Sequence, residues 1–121
     1  MITKPAAVYQ FLSSFNMPVY TSSSVPDGAE ITYITYDYID GAFDTGTQTM
    51  PVVLWFNTNS EKIPNAKVHE ISQAIGLGGK TIPCEDGFIW IKKGTPFAQV
   101  SNDTEIKSRY LLLDIDYFTE F

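Results

Sequence analysis

The run "EITYITYDYID" at residues 30–40 limits what this chain can fold into more than any other stretch. It mixes β-branched and aromatic residues in the manner of a pleated strand. Successive side chains of a strand point to opposite faces, so Ile31, Tyr33, Thr35, Asp37 and Ile39 share one face and Thr32, Ile34, Tyr36 and Tyr38 the other. Neither face is clearly polar. The strand is therefore expected to be covered on both sides, or to present one face to another subunit.

The flanking segments extend this into a sheet with helices. Upstream, Val8, Phe11, Leu12 and Phe15 recur at i, i+3, i+4 and i+7 and predict a short amphipathic helix over 5–15, with Pro5 in its first turn. "NMPVY" predicts a brief strand, and "TSSSVPDGAE" a polar loop built on the turn formers Pro26, Asp27 and Gly28. Downstream, "GAFDTGTQT" (41–49) predicts an exposed connection. "MPVVLWFN" (50–57) predicts the partner strand of a hairpin, with Pro51 at a first-residue or edge position. The period then changes. Val68, Ile71 and Ile75, with Ala74 beside them, mark a second helix, Pro64 fits its first turn, and Gly76, Gly78 and Gly79 supply the stop. "KTIPC", "GFIWIKK" and "TEIKSRYLLLDIDYFTEF" are all strand-like. The order predicts an α+β fold in one domain spanning 1–121, a mainly antiparallel sheet with two helices packed on it.

Composition narrows the function classes. A chain of 121 residues can bury about two-thirds of its unfolded surface, enough for one core, and 44% hydrophobic residues argue against disorder. The formal charge of −6 and the absence of a basic run argue against autonomous nucleic-acid binding. The first twenty residues match neither a signal peptide nor a membrane span, and the lone Cys84 asks for no oxidising compartment. A soluble protein made in the cytoplasm is the expectation.

The most suggestive chemical motif is "EDGFIWIKKGTPFAQ", residues 85–99. A phosphate loop needs G-x-x-x-x-G-K-[ST] opening a helix, so that backbone N–H groups cradle the phosphates. Here Gly87 is followed by the strand-forming "FIWI", then Lys92, Lys93, Gly94 and Thr95, and Pro96 favours a turn at 92–96. His69 is the only histidine, and without a second ligand at suitable spacing it makes no zinc site. Nothing in the spacing pairs it with Cys84 as a nucleophile. Asp37, Asp40 and Asp44 surround a loop, and Asp114 and Asp116 share a strand face. These acidic residues suit solvated positions, or, as an alternative, a small divalent-metal enzyme. No catalytic constellation, metal site or cofactor is expected.

Taken in order, Val25-Pro26-Asp27, Ile34-Thr35-Tyr36, Leu54-Trp55-Phe56 before a Ser-containing turn, Ile71-Ser72 with Ile75-Gly76, and Asp86-Gly87 leading through Ile89-Trp90-Ile91 to Gly94, Pro96, Phe97, Ala98 and Gln99 form a pattern. It resembles the tail terminator (tail-completion) proteins of long-tailed phages and prophages of Gram-positive bacteria, over residues 7–118. One departure is Thr32, where that family often has a proline before the Tyr-Ile-Thr-Tyr run. The resemblance implies a small α+β protein of the virion with no catalytic residue and no membrane. Six copies would form a ring on the head-proximal end of the tail tube, stop tube polymerisation and present the head-joining surface. Its partners would be further copies of itself, the tail tube protein and a head-completion or neck protein. Another neck ring is the alternative in the same class. DNA would pass through the ring without specific binding, repelled by about −36 formal charges, six times −6. On this reading Asp40, Gly41, Phe43, Asp44 and Gly46 form a channel- or tube-facing loop. Tyr33, Tyr36, Tyr38, Trp55, Trp90, Lys92 and Lys93 contribute to subunit interfaces, with the two lysines either meeting an acidic neighbour or sitting in a solvated turn.

Overall fold

Lys4–Ser13 forms α1, which starts where Thr3 caps it: the Thr3 hydroxyl accepts from the Ala6 N–H at 3.3 Å. The computed structural model describes residues 2–38, 46–102 and 106–120. After α1 come β1 (Val19–Thr21), β2 (Tyr33–Tyr36), β3 (Gly46–Asn57), α2 (Lys62–Ile75), β4 (Lys80–Cys84), β5 (Gly87–Asn102) and β6 (Ile106–Thr119). One six-stranded sheet runs β1-β2-β3-β6-β5-β4. It is antiparallel except for the β1–β2 pair, so the expected α+β class holds.

Alternation decides what the sheet buries. In β3, Gln48, Met50, Val52, Leu54 and Phe56 point inward; in β6, Arg109, Leu111, Leu113, Ile115 and Tyr117 do so. Ile89 and Ile91 of β5 and Ile34 of β2 complete the inner face. Val8, Phe11 and Leu12 of α1, Phe15 just beyond it, and Ile71 and Ile75 of α2 pack on it, as the sequence stripes predict; Ala74 of α2 is exposed. Both helices thus lie on one face.

The sheet must curl to accept α1. Six flat strands would set the edges roughly 24 Å apart, whereas ten helical residues span about 15 Å. Yet α1 packs against both edge strands, β1 and β4. At its start the buried Lys4 ammonium donates to Asp86 at 2.7 Å and to the Thr119 hydroxyl at 3.0 Å. The other helix is tied down by Arg109. That side chain is 2% exposed, and it donates to the Glu61 carboxylate, to Asn65 Oδ1 and to the Ser108 carbonyl. Lys107 reaches the same carboxylate at 3.3 Å. Lys67 then joins the two helices by donating to the Phe15 carbonyl at 2.7 Å.

Four local expectations are corrected. Among the described residues of "EITYITYDYID" (30–38), Tyr33–Tyr36 alone join the ladder. The connection before β3 is shorter than expected, because Gly46 to Thr49 already pair with Tyr117 to Asp114. Pro51 lies inside a central strand. Its carbonyl accepts from the Asp37 N–H on the β2 side at 3.2 Å, so its missing N–H also faces that side, just past the last paired residue, Tyr36. No β3–β6 hydrogen bond is lost. Finally, residues 92–96 are not a hairpin turn: β5 continues to Asn102 through a bulge between Lys93 and Ala98. Gly94 permits it, since a Cβ there would sit 2.7 Å from Leu112 Cβ and 2.9 Å from the Leu112 carbonyl oxygen. Gly94→Ala is expected to cost about 1–3 kcal/mol in urea unfolding, the scale of an overpacked core.

Arg109 and then Lys107, through their hydrogen bonds, hold the Glu61 carboxyl below its ordinary 4.5. Lys4 does the same for Asp86, and Lys92 followed by Thr47 for Asp116. Carboxyls with lowered folded values bind protons more readily when unfolded. The stability they confer is therefore complete above the ordinary carboxyl value and is lost as pH falls through the lowered ones. The thermal midpoint is expected to stay level from neutrality to about pH 5 and to fall below it. In Glu61→Gln the midpoint should start lower and the acid limb should be shallower.

Candidate interaction surface

The face of the sheet away from both helices is built by the other half of each strand's alternation. Reading across the register, β4 supplies Thr81 and Pro83, and β5 supplies Phe88, Trp90 and Lys92. β6 supplies Tyr110, Leu112, Asp114, Asp116 and Phe118, and β3 supplies Thr47, Thr49, Pro51, Val53 and Trp55. Tyr33 pairs with Trp55, and Tyr20 packs edge-on against Tyr33 with ring centroids 5.7 Å apart. Phe88 and Phe118 stack at 4.4 Å, both more than a third exposed. Tyr110 is 43% exposed.

A polar band crosses the middle of this face. Thr47 Oγ1 donates to Asp116 Oδ1 at 2.6 Å, Thr49 Oγ1 donates to Asp114 Oδ1 at 2.9 Å, and Lys92 Nζ donates to Asp116 Oδ2 at 2.7 Å. The Lys92 ammonium also lies 4.5 Å from the Trp90 ring centroid. Thr47 and Thr49 stand directly opposite Asp116 and Asp114, while Lys92, opposite Asp114, reaches diagonally to Asp116 and over Trp90 of its own strand, so the register assembles the network. Trp55 and Trp90 each turn the indole N–H onto an acceptor: Thr35 Oγ1 at 3.0 Å and the Gly78 carbonyl at 2.8 Å. That leaves the ring bodies as the surface these residues offer.

The expected interface residues separate into groups. Tyr33, Trp55, Trp90 and Lys92 share the open face. Tyr36 belongs to the core: it is 8% exposed, and burial followed by the neighbouring Tyr9 raises its hydroxyl above the usual tyrosine value. Tyr38 packs partly against the core, edge-on to Tyr117 at 6.4 Å. Lys93 is opposite the inward-facing Leu113, with its ammonium 5.7 Å from the Phe97 ring centroid. Lys92 finds its acidic neighbour within the chain. Of the expected channel loop, Asp40, Gly41, Phe43 and Asp44 lie outside the described residues; Gly46 is exposed at the start of β3. Phe88, Tyr110, Leu112 and Phe118 were missed by sequence reasoning, although strict alternation through "RYLLLDIDYF" would have set Tyr110, Leu112 and Phe118 opposite the core.

The chemical candidates are dispersed. Asp114 and Asp116 are spent on hydroxyl and ammonium donors, and no cluster of three or more His, Cys, Asp or Glu suited to a metal occurs among the described residues. His69 is exposed on α2, whereas Cys84 is 2% exposed on β4 and burial raises its thiol above the usual value. "GFIWIKKGT" is strand and bulge; a side chain at Gly87 would strike the Phe118 carbonyl, so this glycine serves close strand approach.

Comparison with protein-family models, with curated proteins and with solved structures found no match to this chain. The two sheet faces nevertheless make a sharp pair of expectations on adjacent residues of β6. Leu111→Ala, on the core side, should cost about 2–5 kcal/mol in urea unfolding. Tyr110→Ser, on the open side and 43% exposed, should cost less, about 1 kcal/mol or below.

Proposed function

We propose that this chain is a structural virion protein, a tail terminator whose copies close into a six-membered ring on the head-proximal end of a phage tail tube. There it ends tube growth and offers the surface that joins the filled head. The observation that carries this reading is the open sheet face, where Tyr20, Tyr33, Trp55, Tyr110, Phe88 and Phe118 stand on a rigid sheet with both helices on the other side. Aromatic side chains on a preformed surface are the usual material of protein interfaces, since they bury much area for little conformational entropy.

The sequence pattern supports the same reading from another direction. Ile34, Leu54, Phe56, Ile71, Ile75, Ile89 and Ile91, all in the motifs that resemble the tail terminator family, lie in the core. Those motifs therefore specify how the sheet and helices pack. The charge of −6 per chain suits a channel that DNA crosses without adhering. The ring's partners would be its own copies, the tube protein below and a head-completion protein above, and the role requires no catalytic group.

Electron microscopy of lysates from the parent phage with this gene interrupted tests the proposal. The expected result is overlong tails of variable length beside separate, DNA-filled heads. Tails of normal length that fail to join heads would place the protein in another neck ring. Normal infectious particles would refute a role in the virion.

A further inference from the structure

Among the described residues, Leu77 is the most exposed large apolar one. Its relative exposure is 106%, so its side chain is fully open. It sits in the connection Gly76-Leu77-Gly78-Gly79, between the end of α2 and the edge strand β4. This connection is held in place. The Trp90 indole donates to the Gly78 carbonyl at 2.8 Å, and Gly79, at φ +82°, is pressed so close to β5 that a Cβ would sit 2.7 Å from the Ile91 carbonyl oxygen. The loop thus carries a leucine knob on a fixed base. Lys92 and Lys93 line the hollow beside it, and Lys80 follows directly. Lys92 is paired with Asp116; Lys80 and Lys93 are in no ion pair among the described residues.

A second feature complements the first in shape and charge. Where the chain approaches β2, a cleft of about 600 Å³ is lined by Ala29, Glu30 and Ile31, by Asn57 at the end of β3 and by Ile106 at the start of β6. Its apolar side chains are small or branched, and among the described residues that line it Glu30 is the ionised one. Asp27 lies three positions before Glu30, exposed like it, and neither is in an ion pair among the described residues. The knob precedes one edge strand of the sheet, while the cleft lies at the ends of the central strands β3 and β6, where the chain approaches β2.

We infer that the Leu77 knob of one copy seats in the Ala29–Ile31 cleft of the next, with Lys80 and Lys93 facing Glu30 and Asp27. Leucine would bury its side chain between Ile31 and Ile106, and the lysine and carboxylate rims would fix its orientation. Two different surfaces meet, so a copy that has used its knob still offers its cleft, and an open assembly always ends in one free knob and one free cleft. The contact is heterologous, and it repeats until it closes. The inference rests on the proposed ring only for that closure; the contact itself stands on the exposure, the cleft and the opposite charges.

Cysteine cross-linking of the purified full chain tests it. Cys84 is 2% exposed and stays in place, with the parent chain as the blank. Leu77→Cys together with Ile31→Cys, mildly oxidised at high protein concentration, should give a ladder of covalent multimers on a non-reducing gel. Either substitution alone should give none. Leu77→Asp should weaken self-association by about thirtyfold in sedimentation velocity, the scale of a lost hot-spot residue. Glu30→Lys should weaken it as well, with partial recovery on adding Lys80→Glu. Multimers that form normally in Leu77→Asp, with no ladder from the double-cysteine chain, would overturn this contact and leave the ring reading standing. A dimer from Leu77→Cys alone would also overturn it, because the contact would then be symmetric. A chain that stays monomeric and gives no ladder would overturn the contact, and the interrupted-gene phenotype would still decide the ring.

Discussion

The pairing of β3 with β6 runs without a break from Gly46 opposite Tyr117 to Asn57 opposite Ile106, and the rest of the molecule inherits its phase. Because side chains alternate along a strand, a slip of one residue would turn one row out to solvent: either Met50, Val52 and Leu54 of β3, or Leu111, Leu113 and Ile115 of β6, the latter bringing Asp114 and Asp116 into the core. Burial of those aliphatic rows makes any odd-numbered slip prohibitive. The same phase places Thr47 and Thr49 beside the two aspartates, and it carries the β5 residues Trp90 and Lys92 to the same band. Core and outer surface are therefore set by a single choice.

Much of this was legible in the chain. The stripe Val8, Phe11, Leu12 and Phe15 has only one helical face to bury, and Ile71 and Ile75 have theirs, so both helices could be read locally. The failures were of another kind. Thr47 and Thr49 read as loop because their strand character comes from Asp116 and Asp114, 69 and 65 positions away. "KKGTP" has the composition of a turn and becomes a bulge because β6 continues past it as a template. Pro51 looked like an edge residue, and it is tolerated in a central strand only because its neighbour β2 stops at Tyr36. The parallel pairing of β1 with β2 has no local signal at all.

Arg109 shows the limit of reading by residue type. Period two through Arg109, Leu111, Leu113, Ile115 and Tyr117 places it inward, while its charge places it outward. The pattern wins because Glu61 and Asn65, from the first turns of α2, meet the guanidinium there. A buried arginine with planar, multivalent partners also gives the helix a defined seat, which interchangeable aliphatic contacts alone would leave free to slide. The open face follows a related logic. Its polar band separates Phe88 and Phe118 from the cluster of Tyr20, Tyr33 and Trp55, so the single chain exposes two modest apolar areas in place of one large one.

The clamp around Lys4 has a mechanical side. The Ile2 carbonyl accepts from the Glu85 N–H at 2.9 Å, and the Glu120 N–H donates to the Asp86 carbonyl at 2.8 Å, while Lys4 itself holds both Asp86 and Thr119. Residues 2–4 and 119–120 are thus fastened to the same turn between β4 and β5. Tension applied between these two segments would load that small cluster of bonds and bypass the long β3–β6 ladder. The sheet takes up such a pull only after that cluster has given way.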